Sequence, residues 1–206
     1  MKEKECPIKM CDNEWMGYKW DMITNFDEKT YSLKNISLKS KERFSYGIYT
    51  LECILPKGRN YFPSFSLFND RILAAIDVFV GHSNIFGGYW KPFIKPYKPL
   101  LQQGYSIESD IYCETPEKII DTGETGVEKN ILHNPSSEVN KYSLEWTQNY
   151  ILIRYNDEIV KYVDERTNFE LFRYLNQDPY MYVIFSTDKI KNGVTYALKK
   201  FDYKKL

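Results

Sequence analysis

Residues 73–81 read LAAIDVFVG, a run of strand-forming apolar residues broken by one acid, Asp77. Along a regular strand successive side chains point to opposite faces. Alternation therefore sends Ala75, Asp77 and Phe79 to one side and Ile76, Val78 and Val80 to the other. A single carboxylate in a segment otherwise suited to burial needs either a partner or a function.

The same chemistry continues outward in both directions. Residues 46–56, 64–69, 105–113, 141–147, 150–156, 158–163, 180–187 and 195–206 are rich in β-branched and aromatic residues. Breakers separate them, among them Pro56-Lys57-Gly58, Asn69-Asp70, Gly87-Gly88, Asn134-Pro135 and Lys191-Asn192-Gly193. The stretch YILIRYNDEIVKYV (150–163) reads as a hairpin turning at Asn156-Asp157. The pattern predicts an all-β chain: a sandwich of two antiparallel sheets. One short helix is expected over 164–177, with Phe169, Phe172 and Leu175 at helical spacing, as a lid on the sandwich edge. Residues 88–104 place Trp90, Phe93 and Tyr97 between prolines, which predicts a rigid extended loop. Residues 114–138 also read as loop.

Length and composition bound the rest. The 206 residues fit a single domain over 1–206, with 1–43 as a tail and N-terminal edge strand and 44–206 as the core. Lys plus Arg and Asp plus Glu both number 28, and this neutral balance argues against nucleic acid as the partner. No run of 18 apolar residues exists, so no membrane helix is expected. The N-terminal MKEKECPIKMCDNEW lacks the apolar core of a secretory signal, so the expectation is cytoplasmic synthesis, with assembly into a virion or surface structure as one onward route. Cys6, Cys11, Cys53 and Cys113, with His82 and His133, do not form a zinc spacing, and no metal or cofactor is expected. Cys53 and Cys113 sit in strand-like runs and are expected to be buried thiols, and His82, in GHSN, is expected in a turn.

Four separated stretches, in order along the chain, resemble glycoside hydrolase family 16. YGIYTLECILPKGRNYFPSFSLF (46–68) is similar to the family's Tyr-Gly-x-Phe-Glu run, which ends in Pro-Ala-Phe-Trp-Leu. LAAIDVFVG falls where the family carries its catalytic strand, Gly-Glu-Ile-Asp-Ile-x-Glu. KYSLEWTQNYILIRYNDEIV (141–160) resembles its Glu-Trp hairpin, and YALKKFDYKKL (196–206) its closing strand. The resemblance covers residues 44–206 and implies a concanavalin A-like jelly roll of the kind that cuts β-glucans and galactans.

It also implies where the chemistry should lie. The family's nucleophile, helper and acid/base carboxylates map onto Ala75, Asp77 and Val80, or onto Ala75, Asp77 and Phe79 if the strand lacks the family's bulge. Only Asp77 remains a carboxylate. A methyl group cannot attack an anomeric carbon, and valine or phenylalanine cannot protonate a leaving oxygen. The expectation is a non-catalytic member, with no catalytic residue. The family's cleft tryptophan falls at Ser66, and alternation puts Ser64, Ser66 and Phe68 on the cleft side. Trp146 and Trp20 are expected in the core, and Asn140 stands where the family often has histidine. Glu52, Glu108 and Asp110 are the acids that could restore catalysis, and each also reads as an ordinary exposed sheet residue.

Three functions follow. The first is a carbohydrate-binding or adhesion module that holds a β-glucan or galactan type of glycan through Asp77, Ser66, Tyr61, Trp90 and Tyr97. The second is a structural or decoration protein whose partners are other proteins in an assembly. The third is a hydrolase with relocated acids.

Overall fold

A computed structural model of the protein describes residues 14–27, 32–56, 62–83, 105–122, 125–126, 135–188 and 196–206. Strict period-two burial defines its central strands. β1 (Glu14–Trp15), β2 (Tyr18–Asp27) and β3 (Ser32–Phe44) lead into β4 (Gly47–Ile54) and β5 (Phe62–Asn69). In β4 and β5 every second residue is buried, as a strand with one core face requires. β6 (Ala74–Ser83), β7 (Tyr105–Glu114), β8 (Ile119–Asp121) and β9 (Thr125–Gly126) follow. β10 (Asn140–Trp146), β11 (Tyr150–Tyr155) and β12 (Glu158–Asp164) precede helix α1 (Phe169–Leu175), and β13 (Met181–Asp188) and β14 (Ala197–Lys205) close the chain.

The strands form two antiparallel sheets, as the sequence predicts. Nine lie in the order β1-β2-β3-β13-β5-β6-β7-β8, with β9 also on β7, and five in the order β12-β11-β10-β4-β14. Between them lies a core built on aromatic rings. Trp20, Phe65 and Phe185 of the larger sheet meet Phe201 of the smaller one, with ring centroids 5.5 Å apart for Phe185 and Phe201. Phe79 and Tyr142 are 4.3 Å apart across the same interior. The abundance of aromatics therefore goes largely into inter-sheet packing, where losing one buried ring costs about 3–5 kcal/mol. Trp20 and Trp146 are core residues, as expected, and Cys53 and Cys113 are buried free thiols.

Several expectations change. The N-terminal region contributes more than an edge strand, because β3 sits inside the large sheet between β2 and β13. The helix is shorter than 164–177: Asp164 accepts hydrogen bonds from the Thr167 backbone and hydroxyl, both at 3.0 Å, and turns the chain before the helix begins. Its buried stripe is Leu171, Phe172 and Leu175, whereas Phe169 is exposed. The helix lies against β7 and β8 at the edge of the large sheet, tied on the outside by Lys118 and Glu170 at 2.8 Å. Residues 114–138, read as loop, contain the short strands β8 and β9, whose pairing with β7 is set by tertiary contact. The Asn156-Asp157 turn is confirmed, both residues taking positive φ (46° and 69°), as a tight hairpin of this hand requires. Cys6, Cys11 and His133 lie outside the described residues.

Candidate glycan-facing site

Asp77 lies near the middle of β6, and β6 is not regular there. Toward β5 the register runs Ser66 to Asp77 and then Phe65 to Phe79; toward β7 it runs Asp77 to Asp110 and then Val80 to Glu108. Both neighbours thus see an extra residue after Asp77. Val78 and Phe79 are both fully buried, which a period-two strand does not allow. Simple alternation is corrected accordingly. Phe79 turns into the core, and Val80 joins Asp77 on the outward face, with Ala75 in phase before the bulge.

A bulge leaves ladder groups without their usual partners, and the second sheet supplies replacements. The hydroxyl of Tyr155, on β11, donates to the Val78 carbonyl at 2.8 Å across the core. The ammonium of Lys161, on β12, donates to the carbonyl of Ser109, the residue opposite the bulge, at 3.1 Å. It also lies 3.6 Å from Asp110. Lys161 is buried, which a lysine tolerates only when its charge is compensated. Sequence reading passed over both residues. Their only signal is that each falls in phase with buried apolar neighbours, Tyr155 with Ile153 and Lys161 with Val163.

Asp77 itself is half-buried. Burial pushes its carboxyl above the ordinary carboxylate range, the Ser66 hydroxyl, which hydrogen-bonds to it, works in the opposite direction, and the negative charge of Asp110 raises it further. Asp110 accepts from Thr122 Oγ1 at 3.0 Å and from the Ile111 amide at 2.7 Å. Glu108 and Asp110, read as ordinary exposed positions, are half-buried and share the face of Asp77. Glu52 lies on β4 in the other sheet, between Lys141 and Lys200, and is not part of this face. His82 belongs to strand β6 rather than to a turn. Asn140 is buried and accepts from Asn156 at 2.8 Å, supporting the hairpin.

The outward face of the large sheet extends from Asp77 in rows set by the register. One row runs Asp110, Asp77, Ser66, Ile184 and Lys39 across β7, β6, β5, β13 and β3. The next runs Val80, Ser64, Ser186 and Ser37, with the hydroxyls of Ser64 and Ser186 2.6 Å apart. On the other side lie Tyr112, Ala75, Phe68 and Tyr182. The face thus offers hydroxyls in its middle, aromatic side chains along one margin and carboxylates at the β7 end. Of the sequence-derived binding residues, Asp77 and Ser66 are neighbours on it; Tyr61, Trp90 and Tyr97 lie outside the described residues. Among the described residues no three His, Cys, Asp or Glu side chains gather as a metal site.

Comparison with solved structures decides the architecture. The GH16 of the Bacteroides ovatus mixed linkage glucan PUL, in complex with a G4G4G3G product, superposes with a TM-score of 0.56 at 14% identity, over 81% of this chain and 65% of its own. The fold is the GH16-type jelly roll. The catalytic domain of an endo-1,3-β-glucanase (laminarinase) from Thermotoga petrophila matches with a TM-score of 0.54 at 12% identity, covering 88% of this chain and 74% of that one. β-Agarase A in complex with oligoagarose gives 0.54 at 13%, covering 87% and 70%. This chain spans just under two thirds of the Bacteroides structure. No protein-family model matches the sequence, and no curated protein does. The GH16-type jelly roll is thus shared in architecture at identities that carry the fold alone.

Proposed function

We propose that the protein is a non-catalytic carbohydrate-binding module that holds a glycan chain on the outward face of its large sheet. The observation that carries the reading is the trio on β6. The bulge puts Ala75, Asp77 and Val80 on one face, and two of the three are hydrocarbon. Mapped onto the family pattern, Ala75 stands for the nucleophile and Val80 for the acid/base. Retaining hydrolysis needs both as carboxyl groups about 5–5.5 Å apart. Asp110 and Glu108 do not take over these roles in this reading, because both project from β7, beside the strand that matches the family's catalytic strand rather than along it, and Asp110 is held by Lys161 and Thr122.

Binding survives the loss of catalysis for simple reasons. Ser64, Ser66, Ser186 and Asp77 offer hydroxyl and carboxyl partners for sugar hydroxyls, and Phe68, Tyr112 and Tyr182 offer apolar surface beside them. The β-glucan and galactan ligands of the similar structures suggest the ligand class. A second reading, a protein-contact module of a virion or surface assembly, is favoured by one feature: Ile159 and Tyr162 are exposed on β12, an edge strand, with relative exposures of 64% and 57%.

Calorimetric titration with laminarin, lichenan and agarose oligosaccharides, run beside a reducing-end assay on the same sugars, tests the proposal. Binding without release of reducing ends is expected. Release of reducing ends that disappears in Asp77→Asn would overturn the non-catalytic reading. A folded protein that binds no sugar and elutes as an oligomer under light scattering would move the conclusion to the assembly module.

A further inference from the structure

We propose that the glycan is anionic, and that Lys39 with Tyr182 forms the position that receives its sulfate or carboxylate group; this rests on the reading of the face as glycan-binding. Lys39 is half-buried on β3 and projects from the outward face, in phase with Ser37 and out of phase with the buried Ile36, Leu38 and Ser40. Its ammonium lies over the ring of Tyr182, 3.7 Å from the centroid. The ring's negative face attracts the cation and fixes its place, but it does not neutralise the charge.

Among the described residues, two acids of this region are engaged by other cations. Asp21, the ladder partner of Lys39 on β2, pairs with Lys41 at 3.1 Å. Asp178 pairs with Arg43 at 3.1 Å, and Arg43 itself lies 5.5 Å from the same tyrosine ring. Among the described residues no carboxylate forms an ion pair with Lys39. The result is a cation held in position over Tyr182, on a face that also carries the row of Ser37 and Ser186.

The opposite end of the same row has the opposite sign. Asp77 and Asp110 lie three and four strands from Lys39. At ~4.8 Å per strand, Asp77 is about 14 Å away. A chain lying across the strands would meet both ends at once. Its anionic groups are attracted at β3 and repelled at β6 and β7, so the face reads both the presence of charge and its place along the chain. A uniformly charged polymer, anionic at every sugar, fits less well than one with neutral sugars between its charges.

The test uses the intact protein and matched probes. These are galactan oligosaccharides sulfated on alternate sugars, hyaluronan oligosaccharides as the carboxylate counterpart with the same alternation of charged and neutral sugars, and neutral agarose and laminarin oligosaccharides, each titrated at low and high salt. At low salt at least one anionic probe is expected to bind about tenfold tighter than the neutral ones, an advantage that high salt removes. The sulfate and carboxylate arms distinguish which anion is preferred. Lys39→Gln, at a half-exposed position, is expected to abolish the advantage of the anionic probe over the neutral ones, which is read as the ratio of the two affinities because the same substitution uncovers the Tyr182 ring. Equal binding of charged and neutral probes would overturn the proposal and leave the glycan-binding reading standing, as would a Lys39→Gln variant that weakens both alike. Failure of every probe, with Lys39→Gln and the parent both folded by circular dichroism, would overturn both.

Discussion

Asp77 keeps a carboxylate in a setting that disfavours its charge. Burial and the neighbouring Asp110 both push its proton affinity up, and the Ser66 hydroxyl only partly opposes them. The folded protein therefore holds this proton to higher pH than the unfolded chain, whose Asp titrates near the ordinary 3.8. Between those two values the native state binds more protons, so this residue's contribution to stability falls as pH rises through the raised pKa. Asp77→Asn retains an oxygen that can accept from Ser66 and removes the charge. The variant is expected to be more stable than the parent at neutral pH, the gain shrinking to nothing below about pH 3, where both side chains are neutral. Urea unfolding at both pH values measures it, and an equal difference at the two would contradict the account. Sequence alone showed this acid to be out of place in its run. That its ladder neighbour is a second acid was legible only once β7 was paired with β6, because cross-strand register is not encoded in one strand.

The β6 bulge is held from outside β6. Tyr155 and Lys161 come from two strands of the other sheet and satisfy carbonyls on β6 and β7 that the irregular ladder leaves over. Tyr155→Phe keeps the ring in place and leaves the Val78 carbonyl buried without its donor. The expected cost is about 1–3 kcal/mol in chemical denaturation. The same variant should also weaken glycan binding in calorimetry, because Asp77 and Val80 flank the segment that the tyrosine pins. A loss of stability with binding unchanged would show that the bulge keeps its shape without this support. The sequence stated the need for a bulge only through the resemblance. From LAAIDVFVG itself, plain alternation puts Phe79 on the side of Asp77 and Val80 on the other, and nothing in the run marks the extra residue that reverses them.

Across the molecule the two sheets depend on one another. The buried rings bridge them, and Cys53 on β4 and Cys113 on β7 are both without solvent exposure. Burial raises the pKa of both thiols, most of all at Cys53, so the reactive thiolate is scarce as well as hidden. Neither is expected to react with a thiol reagent until the molecule opens. Peptide mapping after labelling along a urea series should show both modified together, at the global unfolding midpoint. Modification of Cys113 well before Cys53 would show instead that the large sheet opens at its β7 edge on its own.

The order of apolar, aromatic and turn residues by itself determined the sandwich and the Asn156-Asp157 hairpin. Those features follow from local periodicity and backbone preference, which a chain carries in its own sequence. Only the tertiary structure decided that Val80 rather than Phe79 accompanies Asp77, that β3 lies inside the large sheet, and that Lys39 stands on a tyrosine ring in the row of Asp77. Each of these depends on register between strands far apart in the chain, and register is fixed where side chains from different strands pack and hydrogen-bond, not within any one of them.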